Sequence, residues 1–223
     1  MKGIYNLAKI IDMKFQIFSR FVLMASMLMA FAVSYAQFEG VIDFRKIKTD
    51  TIAYKYFVRG NKVRIEEFGQ DGSLKGIMLV DLDKGTVVAL NTERKLYMDV
   101  TNTRNPNDFT PVISKTNNEQ EILGYKCREW IVTDKVSGTK TSYWVGGDNF
   151  DFFKPLLSVL NRKDNLPVFF LKIPGNEHVF PFIGIDSAVD GKVRIKLETL
   201  KVEPQHLRAS LFVIPKDYTK FEN

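Results

Sequence analysis

Beyond its first 36 residues the chain alternates apolar and polar positions with a period of two, the spacing that lines one face of a β-strand. Val41, Ile42, Phe44 and Ile47 predict a strand within residues 37–48, and further runs at 52–59 and 62–68 flank Gly60-Asn61. A Gly-Asn pair between alternating runs signals a two-residue hairpin, because both residues accept the positive φ of a primed turn. Val63, Ile65 and Glu67 share one face while Arg64, Glu66 and Phe68 share the other, so one side should be wet. Strands at 74–82, 86–90 and 95–100 then follow turns at Asp71-Gly72, Asp83-Lys84-Gly85 and 91–94. Strands roughly 10 residues apart, joined by tight polar turns, predict an antiparallel meander. Ile77-Met78-Leu79-Val80 breaks the alternation. A continuous apolar run predicts a strand covered on both faces.

Residues 101–118 are polar, lack periodicity and contain Asn105-Pro106 and Thr110-Pro111, which predicts a mobile loop. Residues 119–133 and 139–145 predict a hairpin about 134–138, carrying Trp130 and Trp144. The stretch 143–174 departs from the period of two. Phe152, Phe153, Leu156, Leu157 and Leu160 form one broad apolar helical face. Pro155 fits only a first turn, so the helix is expected over 155–162 with an aromatic lead-in at 150–153. Strands are expected at 168–173, 178–185 and 211–214. Asp190-Gly191 turns the chain into Val193, Ile195 and Leu197, and the phase shifts near Thr199, where Leu200 and Val202 take over. That shift predicts a bulge. The fold class is mainly β with one helix, which must lie on the sheet or inside its curve.

The first 36 residues are a separate matter. A basic segment, Met13-Lys14 to Arg20, precedes an apolar run at 21–33 and then Ser34-Tyr35-Ala36. This is the layout of a signal peptide cleaved before Gln37, and the apolar run is too short for the roughly 20 residues of a membrane span. Met13 starts a complete leader by itself and is a candidate true start. No cysteine follows the cleavage point to carry a lipid anchor. The expected product is residues 37–223, a single soluble monomeric β domain, periplasmic or secreted, with no transmembrane segment. The formal charge of +6 falls to +3 once the leader's four basic residues and Asp12 are set aside. So weak a charge gives no support to a nucleic-acid partner, and the basic and aromatic residues of 54–64 are read as a solvated strand face. Cys127 is the chain's 1 cysteine, expected as a small buried hydrophobe.

Catalytic arrangements are missing from the sequence: it has no glycine-flanked serine elbow, no helical histidine pair around a glutamate, no Gly-rich phosphate loop and no cysteine pair for zinc. His178 and His206 lie in separate segments, and Asp81, Asp83 and Asp99 sit near strand ends, where solvated carboxylates are ordinary. No catalytic residue, metal ligand or cofactor is therefore assigned. The aromatic load is more informative. Phe150, Phe152, Phe153, Phe169, Phe170, Phe180 and Phe182 crowd one third of the chain beside Trp144. Either they fill a core where helix meets sheet, or they line an apolar pocket there. The candidate ligand-binding residues are Trp130, Trp144, Phe150, Phe153, Leu156, Leu157, Leu160 and Phe169.

Several segments together resemble a known group: Phe38-Glu39-Gly40, Gly60-Asn61-Lys62-Val63-Arg64, Val80-Asp81, Ile122-Leu123-Gly124-Tyr125-Lys126-Cys127, Tyr143-Trp144-Val145 and Ile214-Pro215-Lys216-Asp217-Tyr218. The chain resembles the exported bacterial family called domain of unknown function 4412, similar in architecture to the LolA-like periplasmic lipoprotein carriers. The resemblance implies a half-open antiparallel barrel wrapped around a helical plug, with an apolar cavity and no assigned reaction. One obvious helix, where the carriers have several, is a departure. The expectation is a non-enzymatic carrier for a lipid or lipoprotein acyl chain, the alternative being a module that docks an envelope protein through a sheet edge or the 101–118 loop.

Overall fold

The computed structural model describes residues 37–100 and 110–221. The leader therefore lies outside the described residues, as do 101–109 of the expected loop. Among the described residues the strands are β1 (Gly40–Ile47), β2 (Thr51–Arg59), β3 (Lys62–Phe68), β4 (Leu74–Asp81), β5 (Thr86–Asn91), β6 (Leu96–Asp99), β7 (Val112–Ile122), β8 (Tyr125–Thr133), β9 (Lys140–Gly146), β10 (Phe180–Ser187), β11 (Val193–Pro204) and β12 (Thr219–Lys220). They form one 12-stranded sheet in the order β12-β6-β5-β4-β3-β2-β1-β11-β10-β9-β8-β7. The sheet curves but does not close into a barrel. Neighbours pair antiparallel except β12 with β6. Two ladders of successive antiparallel strands, β1–β6 and β7–β11, thus meet at the β1–β11 pair, and within the second the helical segment joins β9 to β10.

Sequence and structure agree closely along the first ladder. Gly60 and Asn61 separate β2 from β3, and of the two Gly60 takes the positive φ, 53°. Ile77-Met78-Leu79-Val80 is covered on both faces, as its continuous apolar pattern requires. Val80 joins the main core, while Ile77 and Leu79 pack on the outer face against Leu90, Ile214 and Tyr218. The outer cover is the segment after β11. Leu207, Leu211 and Phe212 seal Val41 and Phe57, and Asp217 reaches Lys95 at 2.9 Å before β12 pairs with β6. The expected bulge is present: Asp43 opposes Lys201 and Phe44 opposes Thr199, which leaves Leu200 without a partner.

Four expectations are corrected. Residues 112–118, expected in a loop, belong to β7, whose polar sequence suits a largely exposed outer strand and whose pairing to β8 shifts between Lys115 and Glu119. Residues 119–133 are two strands, because Leu123 (φ 52°) and Gly124 (φ 81°) make a tight turn within them. Residues 168–173 form no strand: 168–171 belong to a helix, α2 (Asn165–Leu171), and 172–173 to the turn that ends it. There Leu166, Phe169, Phe170 and Ile173 are buried at the helical spacing i, i+3, i+4 and i+7. Tertiary burial overrides the strand preference of Val168 and its aromatic neighbours. Residues 211–214 form no strand, the local element being a 3₁₀ turn at Ala209–Phe212 that supplies the outer cover.

The other helix, α1, spans Phe153–Leu160. It starts two residues before the expected position because Pro155 is tolerated anywhere in the first turn. It stops at Asn161, which takes the left-handed conformation (φ 44°) and donates its N–H to the Leu157 carbonyl. Both helices pack on the concave side. Between them and the sheet lies an aromatic core in which Phe150 and Phe182 are fully buried and Phe153 meets Phe180 at 4.7 Å, edge to face.

Candidate functional site

A cavity of about 100 Å³ opens between the concave face and the two helices. Its sheet wall is built by register. Phe44 on β1 opposes Tyr54 on β2, and Tyr56 follows on the same face. Leu197 on β11 opposes Gly184 on β10, which opposes Tyr143 on β9. Phe153, Leu157 and Leu160 from α1, with Leu166 and Phe170 from α2, form the helical wall. Gly184 is part of the shape. A Cβ there would come 2.9 Å from Leu166 Cδ2, so a larger residue would force the Leu166 side chain out of its place in the cavity wall.

The expected ligand residues divide into three groups. Phe153, Leu157 and Leu160 line the cavity. Leu156, Phe150 and Phe169 are buried in the surrounding core. Trp130 lies opposite Tyr143 in the β8–β9 register, buried in the main core without lining the cavity, with the Lys115 ammonium 3.9 Å over its ring. Trp144 neighbours Tyr143 on β9 and so takes the other face of that strand. The missed lining residues, notably Phe44, Tyr54 and Tyr56, come from the far end of the chain. Their shared face across a hairpin was a visible signal, but nothing local said that this face would meet the helices.

The walls are neutral and the rim is charged. Burial, with the nearby charge of Glu67, pushes the Tyr54 hydroxyl up to about 12, and the Arg162 guanidinium offsets part of this. Burial likewise raises Tyr56 and, reinforced by the charge of Asp186, Tyr143. All three stay protonated at neutral pH. Tyr143 donates to the Leu166 carbonyl at 2.7 Å, so its polar end is satisfied by α2. At the rim Lys46 meets Asp164 at 2.6 Å, and Glu198 meets Arg45 at 2.7 Å and Lys196 at 3.2 Å. Arg45 and Lys196 hold the Glu198 carboxyl below its ordinary range.

The acidic and histidine side chains weighed from the sequence have local duties. Asp81 accepts from Lys62 and from the Lys84 N–H, Asp83 accepts from Asn61, and Asp99 pairs with Lys220. His178 contacts Asp151 and His206 contacts Glu39, both histidines being exposed. Cys127 is buried, and burial pushes its thiol up to about 11. Among the described residues no group of three or more His, Cys, Asp or Glu is placed to hold a metal ion.

Sheet, helices and cavity together define an open antiparallel half-barrel folded over two helices, with an apolar hollow at the junction. The chain belongs to the family described as domain of unknown function (DUF4412), whose model matches residues 38–218. No curated protein matches the chain. Among solved structures it is similar to an uncharacterized conserved protein from Thermus thermophilus, at 10% identity and TM-score 0.49, covering 81% of this chain and 88% of that one. It is also similar to MucB, at 9% identity and TM-score 0.44, covering 82% of this chain and 60% of MucB. A third likeness is to a putative outer membrane lipoprotein-sorting protein domain from Vibrio parahaemolyticus, at 11% identity and TM-score 0.34, covering 84% and 94%. At such identities no residue's role transfers from them.

Proposed function

We propose that the protein is an exported, non-enzymatic binding module that seats an apolar group, the end of a lipid or lipoprotein acyl chain, between the sheet and its two helices. One observation carries this reading: a hollow walled by rings and aliphatic side chains, with its charges gathered at the mouth. Such a site desolvates a hydrocarbon without burying an ionised group. Size limits the occupant. The 100 Å³ of free space is smaller than the roughly 150 Å³ of an engineered cavity that holds benzene. At rest it takes a chain end, and more of the chain enters only as α1 and its connection to α2 move outward.

Export follows from the basic, apolar and small-residue sequence of the leader, and among the described residues no helix is long and apolar enough to cross a membrane. The second reading, an envelope protein adding a strand to β7, draws on that strand's place at the end of the sheet. The register shift between Lys115 and Glu119 and the charged side chains there blunt the edge, so the cavity is preferred.

The test is uptake of a hydrophobic fluorescent dye by the purified native protein, with native mass spectrometry of whatever copurifies. Fluorescence is expected to rise with the native protein, and Leu160→Trp, which fills the hollow, should cut the rise at least about fivefold while the circular dichroism spectrum is kept. Absence of both dye uptake and copurifying lipid would sink the proposal.

A further inference from the structure

The two most exposed large apolar side chains among the described residues are Val136, at 96%, and Val189, at 76%. They stand on different hairpins, β8–β9 and β10–β11, yet the hairpins touch. A Cβ on Gly138 would lie 2.7 Å from a Val189 methyl. Two more exposed valines, Val112 and Val193, belong to the same corner. The pairs Val112 with Thr133, Thr133 with Lys140, Lys140 with Ser187 and Ser187 with Val193 run as one rung across five strands, and both tips project beyond it.

The tips are built to present these side chains. The Asp134 carboxylate accepts from the N–H groups of Val136 and Ser137 and from the Ser137 hydroxyl, and Asp190 accepts from the Lys192 N–H. Both acids are thus engaged by hydrogen bonds within their own turns, although their carboxylates stay solvent-accessible. Lys135, Lys140 and Lys192 are exposed around the valines, and their ammonium groups have no acidic partner among the described residues. Apolar points ringed by free cations match a surface that is anionic at its face and hydrocarbon beneath. Gly184, in the cavity wall, lies three residues along β10 from the rung, about 10 Å at strand spacing. The charged rim at Lys46 is at this same end of the sheet, since Lys46 opposes Leu197 and Leu197 opposes Gly184.

We infer that the paired tips, Val136 and Val189 with Lys135, Lys140 and Lys192, form a docking surface for an anionic lipid bilayer, which brings the cavity mouth to the membrane. The surface is distinct from the cavity and does not depend on the cavity's being a ligand site.

The experiment is co-sedimentation of the purified protein with phosphatidylglycerol-containing vesicles and with phosphatidylcholine vesicles. Preferential binding to the anionic vesicles is expected. Binding should fall about tenfold or more in Val136→Asp with Val189→Asp, and by a similar factor in Lys135→Glu with Lys192→Glu. All four positions are exposed, so these variants should keep the wild-type melting curve, which is measured alongside. Failure to bind anionic vesicles, or binding that both pairs of substitutions leave unchanged, would overturn the inference. So would a sedimentation-velocity result in which the valines instead hold two copies of the chain together.

Discussion

The Tyr143 hydroxyl donates to the Leu166 carbonyl at 2.7 Å, tying the middle of β9 to the first turn of α2. The same ring meets Phe170 edge to face at 5.4 Å. Tyr143→Phe keeps the ring contact and removes the bond, which isolates one term. A loss of about 1 kcal/mol is expected, seen as a melting point lowered by roughly 2–4 °C for a chain of this size. Urea unfolding gives the same quantity independently.

Stability should fall on the alkaline side. Tyr54 is raised from 10.0 to about 12 and Cys127 from 9.0 to about 11, while Tyr56 and Tyr143 are also raised. In each case the unfolded chain gives up the proton first. The contribution is therefore fully present below pH 9 and is lost as pH climbs to 12 and beyond, each group steepening the decline by up to about 1.4 kcal/mol per pH unit. Ultraviolet titration checks this directly. The absorbance of these three tyrosinates should appear only with unfolding, after the exposed tyrosines have titrated.

Leu123 holds φ 52° at a half-exposed turn position beside Gly124. Left-handed backbone costs a leucine about 1 kcal/mol or more, and asparagine tolerates it. Leu123→Asn should raise the urea midpoint, by about 1 kcal/mol of stability, without altering the slope.

The Lys46–Asp164 pair, at 2.6 Å, joins the sheet to the α1–α2 connection across the cavity mouth. Both side chains are partly solvated, so Lys46→Ala should change stability by less than about 1 kcal/mol. Dye entry into the cavity should nevertheless quicken severalfold in stopped flow. An unchanged entry rate would mean that the mouth is not latched there.

What could be read from the sequence depended on whether the controlling interaction was local. Gly60-Asn61 revealed its hairpin because backbone chemistry alone selects those residues. The misphased Thr199 and Leu200 showed the bulge because period two leaves no other explanation. Ile77 to Val80 demanded an outer cover, though not its source, since Ile214 and Tyr218 lie far along the chain. By contrast β7 carries few apolar residues for alternation to mark, and Leu123 gives no sign of a turn. The pattern of α2 was present in Leu166, Phe169, Phe170 and Ile173 but was outweighed by Val168 and the aromatic content. Half of the cavity was visible, namely the face of α1 that bears Phe153, Leu157 and Leu160. The half made of Phe44, Tyr54 and Tyr56 required knowing that β1 lies beside β11.

That β1–β11 seam also governs how the molecule assembles. Arg45 and Glu198, which meet across it, are 153 residues apart in the chain, whereas the pairs within each ladder join successive strands. The two meanders can form early from short-range contacts. Their union must close a loop spanning most of the chain, a costly and slow step. Until that happens the aromatic interior has one wall and the edges of β1 and β11 lie bare. The half-assembled chain is the species that chaperones and proteases of its compartment would meet, and substitutions in the seam would act on yield before they acted on binding.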